Sequence, residues 1–296
     1  MRIVITGSHG LIGTEAVRHL TESGHYVVRL VRSNPNRDRG DLVWDPVSGS
    51  VERSGLKSVD AVVHLAGEPL LGLWTKRKLE RIYRSRVTAT EFLAQAIAGT
   101  TPRPKVVVSA SAVGIYGDQA DRWVNEASPH GHGHLATLAQ EWEQATNLLA
   151  TAGIRVVHLR FGLVLSPRGG ILKQMLFPFR LGLGGTLGWG RHYMSWITVA
   201  DAVKAIRFAV DTPSLSGPVN LVSPNPVTNR EFTKTLARVL HRPAAFPVPT
   251  PLLHLAPGNM ARELILASHR VEPSRLVKAG FKFDHPDLEK ALYGIL

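Results

Sequence analysis

Arg2-Ile3-Val4-Ile5-Thr6-Gly7-Ser8-His9-Gly10-Leu11-Ile12-Gly13 opens the chain. Three β-branched residues in a row predict a strand, and a helical pattern begins after the glycines. Gly7 allows a sharp turn, Gly10 lets the backbone approach a pyrophosphate, and Gly13 lets the helix pack on the strand. The helix N-terminus then presents free N–H groups and a positive dipole end, flanked by Leu11 and Ile12. A glycine triplet between a strand and a helix is the context that separates a dinucleotide site from an ordinary glycine-rich turn.

The 296 residues suffice for one large or two modest domains. With 44% hydrophobic and 20% charged residues, the composition is that of a soluble globular protein. No apolar run reaches transmembrane length, and a core strand at residues 2–6 argues against a signal peptide, so no membrane partner and a cytoplasmic location are expected. The absence of cysteine excludes disulfides, thiolate metal sites and cysteine nucleophiles. A net charge of +12 suits an anionic ligand. The densest basic stretch, Lys76, Arg77, Lys78, Arg81, Arg84 and Arg86, reads as the solvated face of one helix. Without a recognised motif or aromatic-basic platform, no nucleic-acid partner is expected.

Strand and helix alternate through residue 165. A helix is expected from Leu11 to Ser23, stopped by Gly24, then strands at Tyr26–Val31, Asp60–Leu65, Val106–Ser109 and Arg155–Arg160. Lys76 to about Ile97 reads as a long helix. A second helix carries Leu135, Leu138, Ala139, Trp142, Ala145 and Leu149 on one face. This order predicts an α/β fold with a doubly wound parallel sheet. The expected division is 1–165 for the nucleotide-binding domain, with a strand returning near 218–223. A smaller, mixed substrate-side lobe follows at 166–242 and a C-terminal segment at 243–296, where prolines 243, 247, 249 and 251 precede short helices. Thr198 with Asp201 and Thr228 with Glu231 read as capping boxes.

An NAD site places an acid at the end of strand two to hold the ribose hydroxyls. Here that strand ends Leu30-Val31-Arg32-Ser33. A guanidinium would pair with a 2′-phosphate, so NADP(H) is expected with Arg32 as its contact, and Arg37 and Arg39 could assist. The alternative is an Arg32 that is merely exposed.

The chain resembles an extended short-chain dehydrogenase/reductase of the nucleotide-sugar epimerase type, with its Rossmann domain. The glycine turn, His64-Leu65-Ala66-Gly67, the stretch from Ser109 to Gly117, and Arg160-Phe161-Gly162-Leu163-Val164-Leu165 carry the resemblance. Trp44-Asp45-Pro46, Ser85-Arg86-Val87, Trp142-Glu143, Pro178 to Gly185, Ser195-Trp196-Ile197 and Val271 to Leu276 with Ala279-Gly280-Phe281 resemble one subgroup. Its members are called epimerase family protein, some with a cell-division-inhibitor label, and have a C-terminal domain of their own. The resemblance implies cofactor contacts from Arg32, Leu65, Ala66, Gly67, Arg86, Ser109 and Gly162. It also allows a homodimer through two long helices.

The family's enzymes use a Tyr-x-x-x-Lys pair, in which the lysine and the nicotinamide charge lower the tyrosine pKa. None of the tyrosines at 26, 83, 116, 193 and 293 has lysine four residues on. Matching the helix through Glu143 puts Ala136 and Gln140 at the paired positions, and neither can carry a proton. Ser111 either orients the substrate oxygen beside the nicotinamide or is a structural serine at a strand end. Tyr116 either supplies a phenol or packs. His130, His132 and His134 read as a solvated loop without acidic partners, so no metal site is expected. Glu126 either contacts ligand or is simply exposed. Trp189, Arg191, Tyr193 and Trp196 could line a pocket facing an anion, with core packing of Trp196 the alternative. The expected function is an NADP(H)-binding oxidoreductase or epimerase-like protein acting on a small, anionic molecule. Its rival is a non-catalytic NADP(H) sensor or regulator.

Overall fold

The computed structural model describes residues 1–249 and 261–296; Pro251 lies outside them. Two compact units divide the chain. The first comprises Met1–Ser111, Leu138–Leu159 and Val203–Val219; the second comprises Ala112–Thr137, Arg160–Ala202 and Asn220–Leu296.

The first unit is built on a seven-stranded sheet. Its strands are β1 (Arg2–Thr6), β2 (Tyr26–Val31), β3 (Leu42–Val43), β4 (Ala61–His64), β5 (Val106–Ala112), β6 (Arg155–Phe161) and β7 (Gly217–Leu221), in the order β7-β6-β5-β4-β1-β2-β3. β1 pairs in parallel with β2 and β4, β4 with β5, and β2 with β3. The chain moves outward from β1 first towards β3 and then, by way of β4, towards β7. The step from β1 to β4 is therefore the topological switch point, where open α/β sheets leave a crevice at their carboxyl ends. Helices α1 (Leu11–Glu22) and α2 (Lys76–Ala98) are crossovers. Gly24, at φ +81°, stops α1, and the Thr75 side chain caps α2 by accepting from Lys78 N–H. One core joins Val4, Val28, Leu30, Val62, Leu93 and Val107 across the sheet and α2.

The single helix expected around Leu135–Leu149 is two: α3 (His134–Gln144) and α4 (Asn147–Thr151). Thr146 explains the break. Its N–H and hydroxyl both bond the carbonyl of Glu143, three residues back, at 3.2 and 2.7 Å, which tightens and ends the turn.

The second unit has its own core, with Leu172, Leu176 and Phe179 of α5 (Gly170–Arg180), Phe232 and Leu236 of α6 (Asn229–Val239), Leu292 and Trp196. Trp196 is fully buried, and its indole N–H donates to Asn225 O. Thr228 and Glu231 form the expected capping box. Asp201 does more than cap: its buried carboxylate also accepts the backbone N–H groups of Asp284 and His285, at 2.8 and 2.9 Å. Among the described residues no helix is long and apolar enough to cross a membrane.

Candidate functional site

At the carboxyl end of the sheet, Thr6, His64 and Ser109 stand level on β1, β4 and β5. The glycine turn follows Thr6. A Cβ at Gly7, which has φ +68°, would lie 2.7 Å from the carbonyl carbon of Leu65, and one at Gly13 would lie 2.1 Å from Gly7 O. Both glycines are thus required by the chain's own packing. Gly10 is different. Its φ of −75° suits any residue, and a Cβ there meets only Gly7 O, at 3.3 Å. Gly10 is the N-cap of α1 and offers no side-chain cap, so the N–H groups of Leu11, Ile12 and Gly13 have no intrahelical partner. Nearby, the Ser8 hydroxyl is buried without a hydrogen-bond partner. A cavity of about 420 Å³ borders it, with Arg18, Arg29 and Arg39 in its walls.

The backbone after β4 is fixed by a network whose hydrogens can be assigned in full. Thr90 Oγ donates to Arg86 O. It must therefore accept from Trp142 Nε1–H, at 3.1 Å, and from His64 Nε2, at 2.9 Å. His64 carries its proton on Nε2, and its Nδ1 accepts from Thr6 Oγ at 2.7 Å. Thr6 Oγ in turn accepts the N–H groups of Leu65 and Ala66, each at 3.2 Å. Every lone pair is used, and a second ring proton would displace the Thr6 hydroxyl hydrogen. Complete burial holds the imidazole neutral, with its pKa lowered to about 4. The next residues are tied to α2: Glu68 N–H donates to Ser85 Oγ, Arg86 Nη1 donates to Glu68 O, and the Glu68 carboxylate takes Lys78 at 2.8 Å. The bond from Lys78 holds the Glu68 carboxyl below its ordinary range. Arg86 lies against Gly67, with its guanidinium 5.1 Å from the Trp142 ring centre. Burial lowers its pKa to about 10, with Glu68 opposing.

Arg32 is exposed at the end of β2. Arg37 is engaged by Glu52 and by Asp41 O. Asp41, an acid passed over in the sequence, is buried and bonded to Arg29. Burial would raise its carboxyl pKa, but bonds from Arg29 and from Asn36 N–H hold it low. Ser109 is buried on β5; two residues on, Ser111 Oγ donates to Glu143 Oε1 at 2.7 Å.

In the second unit the polar groups close on one another. Tyr116 is fully buried; its hydroxyl donates to Asn220 Oδ1 at 2.7 Å and accepts from Arg160 Nη1 at 2.9 Å. Burial, with Arg160 opposing, raises its pKa. Of the two roles open to Tyr116 in the sequence, packing fits: the short turn Val113–Tyr116 ends with its ring buried. Glu126 is not simply exposed: its Oε1 accepts from Asn220 N–H and Arg275 N–H. Gly162 has a packing reason, since a Cβ would lie 2.5 Å from Ser195 O. His130 lies 3.3 Å from Arg160 Nη2, while His132 and His134 are exposed. The aromatic-basic group splits: Trp196 is core, Trp189 and Arg191 are exposed, and Tyr193 stacks on Arg270, whose other side faces Trp123. Among the described residues no cluster of three histidine or acidic side chains is placed to hold a metal.

The profile of the NAD dependent epimerase/dehydratase family matches residues 3–221. The chain belongs to that family. A domain of unknown function (DUF1731) matches residues 248–294, in keeping with the subgroup's C-terminal domain. Among the family's members, epimerase family protein Mb2239 of Mycobacterium bovis is 43% identical over 291 residues, covering 98% of this chain and 96% of the relative. Human epimerase family protein SDR39U1 is 34% identical over the full length of both chains. A crystal structure of the human protein (isoform 2) with NADPH aligns at a TM-score of 0.90 and 32% identity, covering 100% of this chain and 99% of that one. Against the family's Tyr-x-x-x-Lys pair, Ala136 is buried and Gln140 half-buried.

Proposed function

We propose that this family member binds NADP(H) and uses it as an oxidoreductase or epimerase-like enzyme on a small, anionic molecule. Gly10 carries the cofactor reading: a Cβ there would make a single tight contact, 3.3 Å from Gly7 O, far milder than at Gly7 or Gly13, and the bare backbone lets a group come close. The N–H groups of Leu11, Ile12 and Gly13 would hold the pyrophosphate. Leu65, Ala66 and Gly67 would form the floor beneath the dinucleotide, with Arg86 beside it. The exposed Arg32 and an Asp41 already bonded to Arg29 favour a 2′-phosphate over a free ribose hydroxyl. The NADPH complex of the human relative supports the same choice. When bound, the cofactor supplies a hydride donor or acceptor. Ser111 orients the substrate oxygen.

Fluorescence titration with NADPH and NADH tests this reading. NADPH should bind more tightly, and Arg32→Asp should weaken it about tenfold while sparing NADH. Tighter binding of NADH by the unaltered chain would overturn it. Ala136 and Gln140 support a second reading, a non-catalytic NADP(H)-binding regulator. Tight NADPH binding with no turnover of aldehydes, ketones or nucleotide sugars would select that one.

A further inference from the structure

We propose that Glu143 works through Ser111 as the proton acceptor of this site, filling the duty left by the missing tyrosine and lysine; the proposal rests on the catalytic reading above. Ser109 and Ser111 share one face of β5, because side chains alternate along a strand. Ser109 is level with His64 and Thr6, so Ser111 stands about 7 Å further out, beyond the carboxyl ends of β1 and β4. Its hydroxyl hydrogen is committed to Glu143 Oε1 at 2.7 Å, within the range of charge-assisted O–H···O⁻ bonds. Its lone pairs can then accept from a substrate hydroxyl.

The neighbours of Glu143 hold it there. Trp142, one residue before it, is bonded to Thr90 on α2, and Thr146 closes on the Glu143 carbonyl and ends α3. The Thr146 hydrogen is spent on that carbonyl, so its 2.8 Å contact with His158 Nε2 uses the ring N–H. His158 Nδ1 lies 4.0 Å from Glu143 Oε2. Both side chains are only slightly exposed, at 11% and 15%.

The step balances as an alcohol oxidation. The substrate O–H bond breaks and its proton passes to Ser111 Oγ, while the proton already on Ser111 passes to Glu143 Oε1. The carbinol C–H bond breaks, and its hydrogen leaves with two electrons to an oxidised nicotinamide dinucleotide. A carbonyl remains. Carbonyl reduction is the reverse, with Glu143 giving the proton back through Ser111.

The test uses the full chain, Glu143→Gln, Glu143→Asp, Ser111→Ala and the Glu143→Gln/Ser111→Ala double variant. NADPH oxidation is followed with a panel of aldehydes, ketones and nucleotide sugars, and alcohol oxidation with NADP⁺. Glu143→Gln should lose about 100-fold or more in turnover with NADPH affinity unchanged, and Glu143→Asp should recover part of it. The double variant should be no worse than the poorer single one, since the two residues act as a unit. For alcohol oxidation the acid limb of the pH profile should flatten in Glu143→Gln. A readout without cofactor is the carbon NMR signal of the Glu143 carboxyl, which should titrate at higher pH in Ser111→Ala than in the unaltered chain, because a hydrogen bond that favours the carboxylate is gone.

Undiminished turnover in Glu143→Gln, or an identical Glu143 titration in both proteins, would overturn the relay. So would NADPH binding without turnover of any panel member, which leaves the cofactor reading intact. Failure to bind NADPH would instead remove the cofactor reading itself.

Discussion

The glycine turn of the first unit and the Tyr116 cluster of the second are both dense in polar groups, yet their hydrogen bonds balance differently. Around Tyr116 the hydroxyl, amide, guanidinium and Glu126 Oε1 bond one another and nearby backbone, while Glu126 Oε2 is buried without a hydrogen-bond partner. Around the turn, Thr6, His64 and Thr90 are fully paired, but the network stops at the backbone it supports. Beyond it lie a helix N-terminus, an unpartnered Ser8 hydroxyl and a Gly10 at which a Cβ would meet only Gly7 O, at 3.3 Å. Open polar groups at a helix N-terminus beside a cavity mark where a ligand completes them.

The largest expected effect lies on the closed side. A Cβ at Gly131 would sit 2.0 Å from Tyr116 O, so Gly131→Ala should destabilise the protein by about 3 kcal/mol in urea unfolding and leave the NADPH affinity of the folded fraction alone. A loss below about 1 kcal/mol would show that the cluster yields. Acid tests both regions together, because His64 in the first unit and His269 in the second are each held neutral by burial, with pKa values lowered from 6.5 to about 4. Between those values the unfolded chain binds more protons than the folded one, so stability rises with pH. The full contribution is present above about pH 6.5, and roughly 3 kcal/mol per histidine is lost as pH falls through about 4. Urea unfolding across this window should show a slope that His64→Gln reduces; an unchanged slope would mean that His64 is not the buried neutral group. On the open side, Gly10→Ala should weaken NADPH binding about 30-fold, near 2 kcal/mol, with unfolding free energy within about 1 kcal/mol of the unaltered chain. Equal affinity in that variant would erase the contrast.

Local signals in the sequence reached the fold well. β2 runs over Tyr26–Val31 and α2 begins at Lys76 as read, because β-branched runs and a Thr75 cap act within a few residues. The end of a helix set by a side chain was missed: Thr146 bonds back to Glu143, and no periodicity shows that. Of the site, the glycine turn and the Leu65–Ala66 segment were legible as motifs. The partners were not. Ser111 and Glu143 are 32 residues apart, and Thr6 and His64 are 58 apart. In sequence Glu143 reads only as the helix position that fixes Ala136 and Gln140, and nothing local joins Asp41, just before β3, to Arg29 on β2. Tyr116 misled for the opposite reason: it is near Ser111 in sequence, but a four-residue turn directs its ring into the core.

The first turn of α3 takes its cap from far along the chain: Glu263 Oε2 accepts Leu135 N–H at 2.8 Å across 128 residues. During synthesis on the ribosome, at about 10 residues per second, that helix start waits on the order of ten seconds for its carboxylate. A similar delay applies to Asp201, whose partners Asp284 and His285 follow it by 83 and 84 residues. The second unit is therefore completed only once residue 285 has emerged, whereas most strands of the seven-stranded sheet emerge much earlier.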